Sequence, residues 1–336
     1  MSIRWKLLYA FATVGVVYLS AAGPGATPKF SDWSPPALVP NVNSEFGDFS
    51  PAISRDGRSL YISSNRPDEL GSRDNDIWVS QRASVRAPWG PPVNLGPMIN
   101  TSASEQGPAF SRDGHWMFFA SDRSSPGFLD LWVSYRSDRR NDFGWGTPVN
   151  LGPNINSPFQ DAGANYFANR EQDDDDSDEE GDEDEDGGAL LFFTSSRPPG
   201  TPTLFDLYVS PQHSDGSFGL PTLLSELNSP CTEQRPSIRR DGLEIFFYSN
   251  RPAAGGATCA TNVDLWVAKR DTLSQVWYTP ENLGPVVNGE SNDQQPDISS
   301  DGRTLYFASN RPGGPGLLDL YVTTRNKGKA LSDLED

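Results

Sequence analysis

The sequence is poor in the residues on which most metal and nucleophile sites depend. It holds two His, two Cys and three Met in 336 residues. His115 and His213 fall in separate repeats, which leaves a His-rich metal site or a Ser-His-Asp triad without support. Two Cys, Cys231 and Cys259, are too few for a zinc module or a dense disulfide framework. Lys and Arg number 27 against 45 acids, with no basic stripe, which argues against nucleic-acid binding. No glycine-rich phosphate loop stands between a strand and a helix. No cofactor and no metal are expected.

Long apolar runs are missing as well, with one exception. Leu7–Leu19 is an apolar stretch of 13 residues, preceded by Arg4 and Lys6 and followed by Ser20-Ala21-Ala22. It is short for a membrane span and reads as a cleaved signal peptide, residues 1–22. The expected location is periplasmic or extracellular, with no stable membrane span after cleavage, and export permits a disulfide. The formal charge of −18 is concentrated: residues 171–186 carry 13 acids and no base, leaving −5 elsewhere. Such a run predicts a solvated, disordered insertion. Residues 182–193 have no Glu at their twelfth position, so they do not make an EF-hand.

What the chain has in quantity is turns and a repeat. There are 31 Gly and 29 Pro, and one phrase returns about every 57 residues. An Asn is followed five positions later by an acid: Asn43 and Asp48, Asn100 and Glu105, Asn156 and Asp161, Asn228 and Glu233, Asn288 and Asp293. A short apolar strand follows, then an Asp-Gly turn in four of the repeats, then a second strand closing on Arg66, Arg123, Arg197, Arg251 or Arg311. A third strand opens on Asp76, Asp130, Asp206, Asp264 or Asp319. A fourth segment reads most clearly as Trp89-Gly-Pro-Pro-Val-Asn-Leu-Gly-Pro. Four short strands per unit predict an all-β, five-bladed β-propeller over residues 23–326. The last unit lacks its fourth strand. Residues 33–43 supply the matching phrase at the other end, so the first strand should complete the last blade and close the ring. Residues 327–336 read as a flexible tail.

The phrases Ser-Arg-Asp-Gly, Ser-Asn-Arg-Pro and Asp-Leu-Tyr-Val resemble WD40-like repeats of the TolB type. The Val-Asn-Leu-Gly-Pro phrase is similar to propellers that accompany OmpA-like domains in bacterial envelope proteins. That resemblance covers about residues 33–326 and implies a propeller of the cell envelope. It implies no peptidoglycan anchoring, because no OmpA-like domain is present.

The propeller topology sorts the side chains by face. Asp48, Glu105, Asp161, Glu233 and Asp293 start the innermost strands and should ring one mouth of the channel, as candidate ligand contacts. The five Arg and the five third-strand Asp lie on the same face and are expected to pair as Arg66–Asp76, Arg123–Asp130, Arg197–Asp206, Arg251–Asp264 and Arg311–Asp319. Cys231 and Cys259 flank loops of one blade on that face and are expected to form a disulfide. The periodic Trp and Tyr are assigned to packing between blades. The leading expectation is a non-catalytic, monomeric binding or scaffolding module with a protein, peptide or glycan partner. The alternative is a carboxylate-based glycoside hydrolase built on five blades.

Overall fold

The computed structural model describes residues 30–67, 74–168, 188–198, 204–253, 255–256 and 258–328. The signal segment, the acidic tract and residues 329–336 of the tail lie outside them. The compact unit Asp32–Asn326 is an all-β, five-bladed propeller of four-stranded antiparallel blades. Beyond it, Phe30 forms an isolated bridge with Lys327.

Blade one runs from the axis outward as Asp48–Ile53, Ser59–Ser64, Asp76–Gln81 and Val93–Asn94. Blades two, three and four begin with Glu105–Phe110, Asp161–Phe167 and Glu233–Ile238 and repeat that order. Blade five contains Asp293–Ile298, Thr304–Ser309 and Asp319–Thr324, and its fourth strand is Ala37–Leu38 from the start of the chain. Ala37 pairs with Val322 and Leu38 with Tyr321, so the ring closes.

Three local rules build each blade. Gly57, Gly114, Gly242 and Gly302 take φ of 68°, 79°, 71° and 70° in the first hairpins, where the left-handed region favours glycine. The phrase Asn caps the third strand of the preceding blade. Asn100, for instance, accepts from Ile77 N–H and donates to Ile77 C=O, both at 2.9 Å. The inner acid's own N–H then crosses to that blade too, from Asp48 to Leu318 C=O through Asp293 to Val263 C=O, at 2.6–2.9 Å.

Burial is divided among five apolar clusters, each lying between two neighbouring blades. Tyr61, Ile77 and Val79 of blade one meet Met117, Phe119 and Trp145 of blade two. Phe246, Tyr248 and Val267 of blade four meet Leu305, Phe307 and Tyr321 of blade five. Each fully buried large side chain contributes roughly 1.5–3 kcal/mol, and the contribution holds blade to blade. The periodic aromatics sit in these clusters under stacked guanidinium groups. Arg66, Arg123, Arg197, Arg251 and Arg311 lie 5.0–5.3 Å from the rings of Trp78, Trp132, Tyr208, Trp266 and Tyr321. Near the fourth strands, Arg82, Arg136, Arg270 and Arg325 lie 4.0–4.5 Å from Trp89, Trp145, Trp277 and Trp33.

Candidate functional site

The five inner acids are where the repeat places them, at the starts of the inner strands, but none faces solvent. All five are 0% exposed. Each is held by an Arg of its own blade. The contact is 3.1 Å from Arg123 to Glu105, 2.6 Å from Arg197 to Asp161, 2.9 Å from Arg251 to Glu233 and 2.5 Å from Arg311 to Asp293, and Arg66 holds Asp48 in the same way. The Nε of each Arg donates to the Ser hydroxyl two residues before it at 2.8–3.2 Å. The backbone N–H four residues before each acid also donates to its carboxylate, at 2.5–2.9 Å. The sequence offers these acids to a ligand, whereas the structure gives each one to its blade.

The expected Arg partners need correction for the same reason. The carboxylate under each fork is the inner acid rather than Asp76, Asp130, Asp206, Asp264 or Asp319. The third-strand Asp turns outward: Asp76, Asp130 and Asp264 accept from the fourth-strand amides of Asn94, Asn150 and Asn282 at 2.7, 3.2 and 2.8 Å. Asp319 accepts from Gly316 N–H. Burial, with Glu233 nearby, pushes the Asp206 carboxyl up to about 6. Cys231 and Cys259 form a disulfide with Cα atoms 5.5 Å apart.

A cavity lined by described residues lies at the other end of the inner strands, on the hairpin face. It measures about 120 Å³, and every blade contributes strand ends to it. Each inner strand carries a bulge after its second residue. The third residue of each strand adopts positive φ: Ser50 49°, Gly107 70°, Gly163 59°, Arg235 56° and Gln295 56°. The bulge re-aims the chain so that the fifth residue, Ala52, Ala109, Asn165, Ser237 or Asp297, lines the cavity.

These two layers break the fivefold repeat. Blades one and two supply Ser50, Ala52, Gly107 and Ala109, blade three supplies Gly163 and Asn165, and blades four and five supply Arg235, Ser237, Gln295 and Asp297. The side chain of Arg235 occupies the space left by two glycines. A Cβ on Gly107 would stand 2.1 Å from Arg235 Nη1, and one on Gly163 would stand 2.8 Å from its Cδ. Asp297 accepts from Ile53 N–H at 2.8 Å and from the Ser237 hydroxyl at 3.2 Å. Burial pushes its carboxyl up to about 6, even though its two hydrogen bonds and the Arg235 charge pull the other way. Burial likewise lowers Arg235, to about 10. Asn165 accepts from Ile238 N–H with Oδ1 at 3.1 Å, which leaves Nδ2 as the group it can offer the cavity.

Asp297, Arg235 and Asn165 are absent from the recurrent motifs, and reasoning from recurrence passes over them. The signal that could find them is variation at a fixed register, two and four residues after each inner acid.

No family model and no curated protein matches the chain. Solved structures do. One is the α-L-arabinofuranosidase PaAbf62A from Podospora anserina in complex with cellotriose, at 12% identity and TM-score 0.53, over 90% of this chain and 99% of that one. Another is the catalytic domain of a Coprinopsis cinerea GH62 α-L-arabinofuranosidase, at 13% and 0.53, over 89% and 98%. A third is an endo-arabinase from Bacteroides thetaiotaomicron, at 12% and 0.52, over 88% and 97%. At such identity the likeness is one of fold. It corrects the resemblance drawn from sequence, because the similar propellers are glycoside hydrolases rather than TolB-type or WD40-like proteins. The same similar structures run against the leading expectation of a non-catalytic binding or scaffolding module with a protein or peptide partner. The glycan partner and the hydrolase alternative fit these similar structures better.

Proposed function

We propose that this chain is a glycoside hydrolase whose sugar enters the axial cavity and whose proton donor is Asp297. The observation that carries this reading is the loss of fivefold symmetry around one half-buried carboxyl. Framework groups recur in all five blades, and Asp297 does not. A donor to a glycosidic oxygen must hold its proton near working pH, and a carboxyl raised to about 6 does so in mildly acidic solution. The Asn165 amide, which also lines the cavity, offers a hydrogen-bond donor to sugar hydroxyls beside it. Among the described lining residues Asp297 is the one carboxylate: its proton passes to the leaving oxygen as the glycosidic C–O bond breaks, and a water adds to the anomeric carbon and gives up the proton that restores the acid. The likeness to arabinofuranosidases and an endo-arabinase makes pentose-containing glycans the first substrates to try. Export through residues 1–22 and a disulfide-bonded loop suit a hydrolase acting outside the cytoplasm.

The test is release of 4-nitrophenol from aryl glycosides, α-L-arabinofuranoside first, and of reducing ends from arabino- and xylo-oligosaccharides. Turnover by the wild type should fall roughly 10²–10⁴-fold in Asp297→Asn, the usual weight of a general acid. No turnover on any of these substrates, or full activity in Asp297→Asn, would sink the proposal.

A further inference from the structure

Among the described tryptophans, Trp116 is the one that the repeat does not explain. Seven others, Trp33, Trp78, Trp89, Trp132, Trp145, Trp266 and Trp277, hold periodic packing positions, but Trp116 is 42% exposed. It opens the second strand of blade two. Directly across the ladder stands Tyr135, the last residue of the third strand, 46% exposed. Their ring centroids are 4.8 Å apart, and His115 stacks on Tyr135 at 5.9 Å. The same pair of positions holds Ser59 and Gln81 in blade one, Leu190 and Pro211 in blade three, Glu244 and Lys269 in blade four, and Thr304 and Thr324 in blade five. Three adjoining rings therefore occur in one blade, at a site where packing does not call for them.

Their place on the molecule is equally specific. The hairpin that carries His115 and Trp116 begins at Ser111 and Arg112, which line the axial cavity, and Tyr135 stands across the ladder from it. Trp116 N–H donates to Ser111 Oγ at 3.0 Å, and Ser111 N–H donates to Trp116 C=O at 3.0 Å. The aromatic row is thus one hydrogen-bonded turn away from the cavity wall, on the same face. His115 Nδ1 lies 2.8 Å from Arg136 C=O. A carbonyl can only accept, so Nδ1 carries the proton and Nε2 of the neutral ring is an acceptor.

We infer that His115, Trp116 and Tyr135 form an outer sugar subsite, which holds a glycan chain running from the axial cavity over blade two. The inference rests on the glycan reading of the cavity and narrows it to extended oligosaccharides rather than single glycosides. Sugar rings present C–H faces that pack on aromatic planes, while hydroxyls at the ring edge need polar partners such as His115 Nε2. Exposed aromatic faces with a polar flank answer both needs.

The experiment uses the full chain carrying Asp297→Asn, so that binding is read without turnover. Arabino- and xylo-oligosaccharides of two and of six units are titrated by calorimetry, with tryptophan fluorescence as a second readout. A hexasaccharide should bind more tightly than the disaccharide and perturb the Trp116 emission. Trp116→Ala and Tyr135→Ala should each weaken the hexasaccharide roughly tenfold and leave the disaccharide unchanged. Trp116→Leu, which keeps an apolar side chain without a flat ring, should behave as Trp116→Ala. Both side chains are exposed, so the variants should melt with the parent. Equal hexasaccharide affinity in parent and variants overturns the subsite, as does absence of hexasaccharide binding by the parent. Length-dependent binding lost in Trp116→Ala, from a wild type that cleaves nothing, supports the subsite while removing the hydrolase reading. Cleavage of long chains at the same kcat/KM in wild type and Trp116→Ala does the reverse.

Discussion

The two ends of the inner strands are built from the same chain segments to opposite plans. At the first residue, all five blades place a buried acid under an Arg, with a Ser and a backbone N–H completing the cage. Four residues on, blades one and two supply alanine, whereas blades three, four and five supply Asn165, Ser237 and Asp297 around a cavity. A group repeated five times answers a need that every blade has. A group present once answers something else. The contrast separates framework from function more sharply than residue type does, since acids and arginines stand at both ends.

The largest effects should come from the repeated end. Arg251→Ala would leave Glu233 buried with its charge unmatched, and breaking a buried pair in this way costs about 3–5 kcal/mol. Urea unfolding should show similar losses for Arg66, Arg123, Arg197 and Arg311. One Arg whose removal cost little would mark its blade as an exception to the framework and reopen its acid as a site. A smaller effect is expected at the other end from Gly107→Ala. The backbone at φ 70° and the Arg235 guanidinium both oppose a Cβ, at a cost of roughly 1–3 kcal/mol. Gly96→Ala serves as the control, because that glycine has similar φ and no atom within 4 Å of a Cβ. If the two cost the same, the Arg235 guanidinium does not pack against Gly107 as the structure has it.

The sequence is far more explicit about the repeated end. The acids, the arginines and the third-strand Asp mark strand boundaries that the structure reproduces, and the phrase at residues 33–43 foretells the closing strand. Its legibility has a physical source: turns, caps and buried ion pairs need particular residues at particular spacings, five times over. That source also explains the mistaken resemblance. Ser-Arg-Asp-Gly and Val-Asn-Leu-Gly-Pro are turn and cap chemistry, so they report what a blade requires rather than which proteins it descends with. The Arg partners were undetermined by spacing, because two acids of each blade share one face. What decides between them is convergence: every inner acid also accepts the backbone N–H four residues before it, and Asp48, Glu105, Asp161 and Glu233 accept a Ser hydroxyl as well. Asp297 and Trp116 were hidden for the opposite reason. Each occurs once, and a reading guided by recurrence treats a single departure as noise.

The subtlest distinction between the two ends is a matter of protons. The ring acids sit under guanidinium groups, while Asp297 is raised to about 6 by burial, against an ordinary Asp value near 3.9 in the unfolded chain. A carboxyl whose folded value is raised binds its proton more tightly in the native state. Its contribution to stability is therefore complete below about pH 4, declines between about 4 and 6, and is gone above. Asp206, raised in the same direction, adds to this decline in the wild type, so the informative quantity is the difference between wild type and Asp297→Asn. That difference should move in favour of the variant from pH 4 to pH 7, by an amount on the order of 1–3 kcal/mol in urea unfolding. The same titration should govern turnover, because a donor that has lost its proton cannot give it to the leaving oxygen. The alkaline limb of kcat/KM should then have its midpoint near the pH at which the decline in the stability difference levels off, about 6. If the decline levels off near 6 and the activity limb lies elsewhere, Asp297 is a buried acid of the cavity and the proton comes from another group.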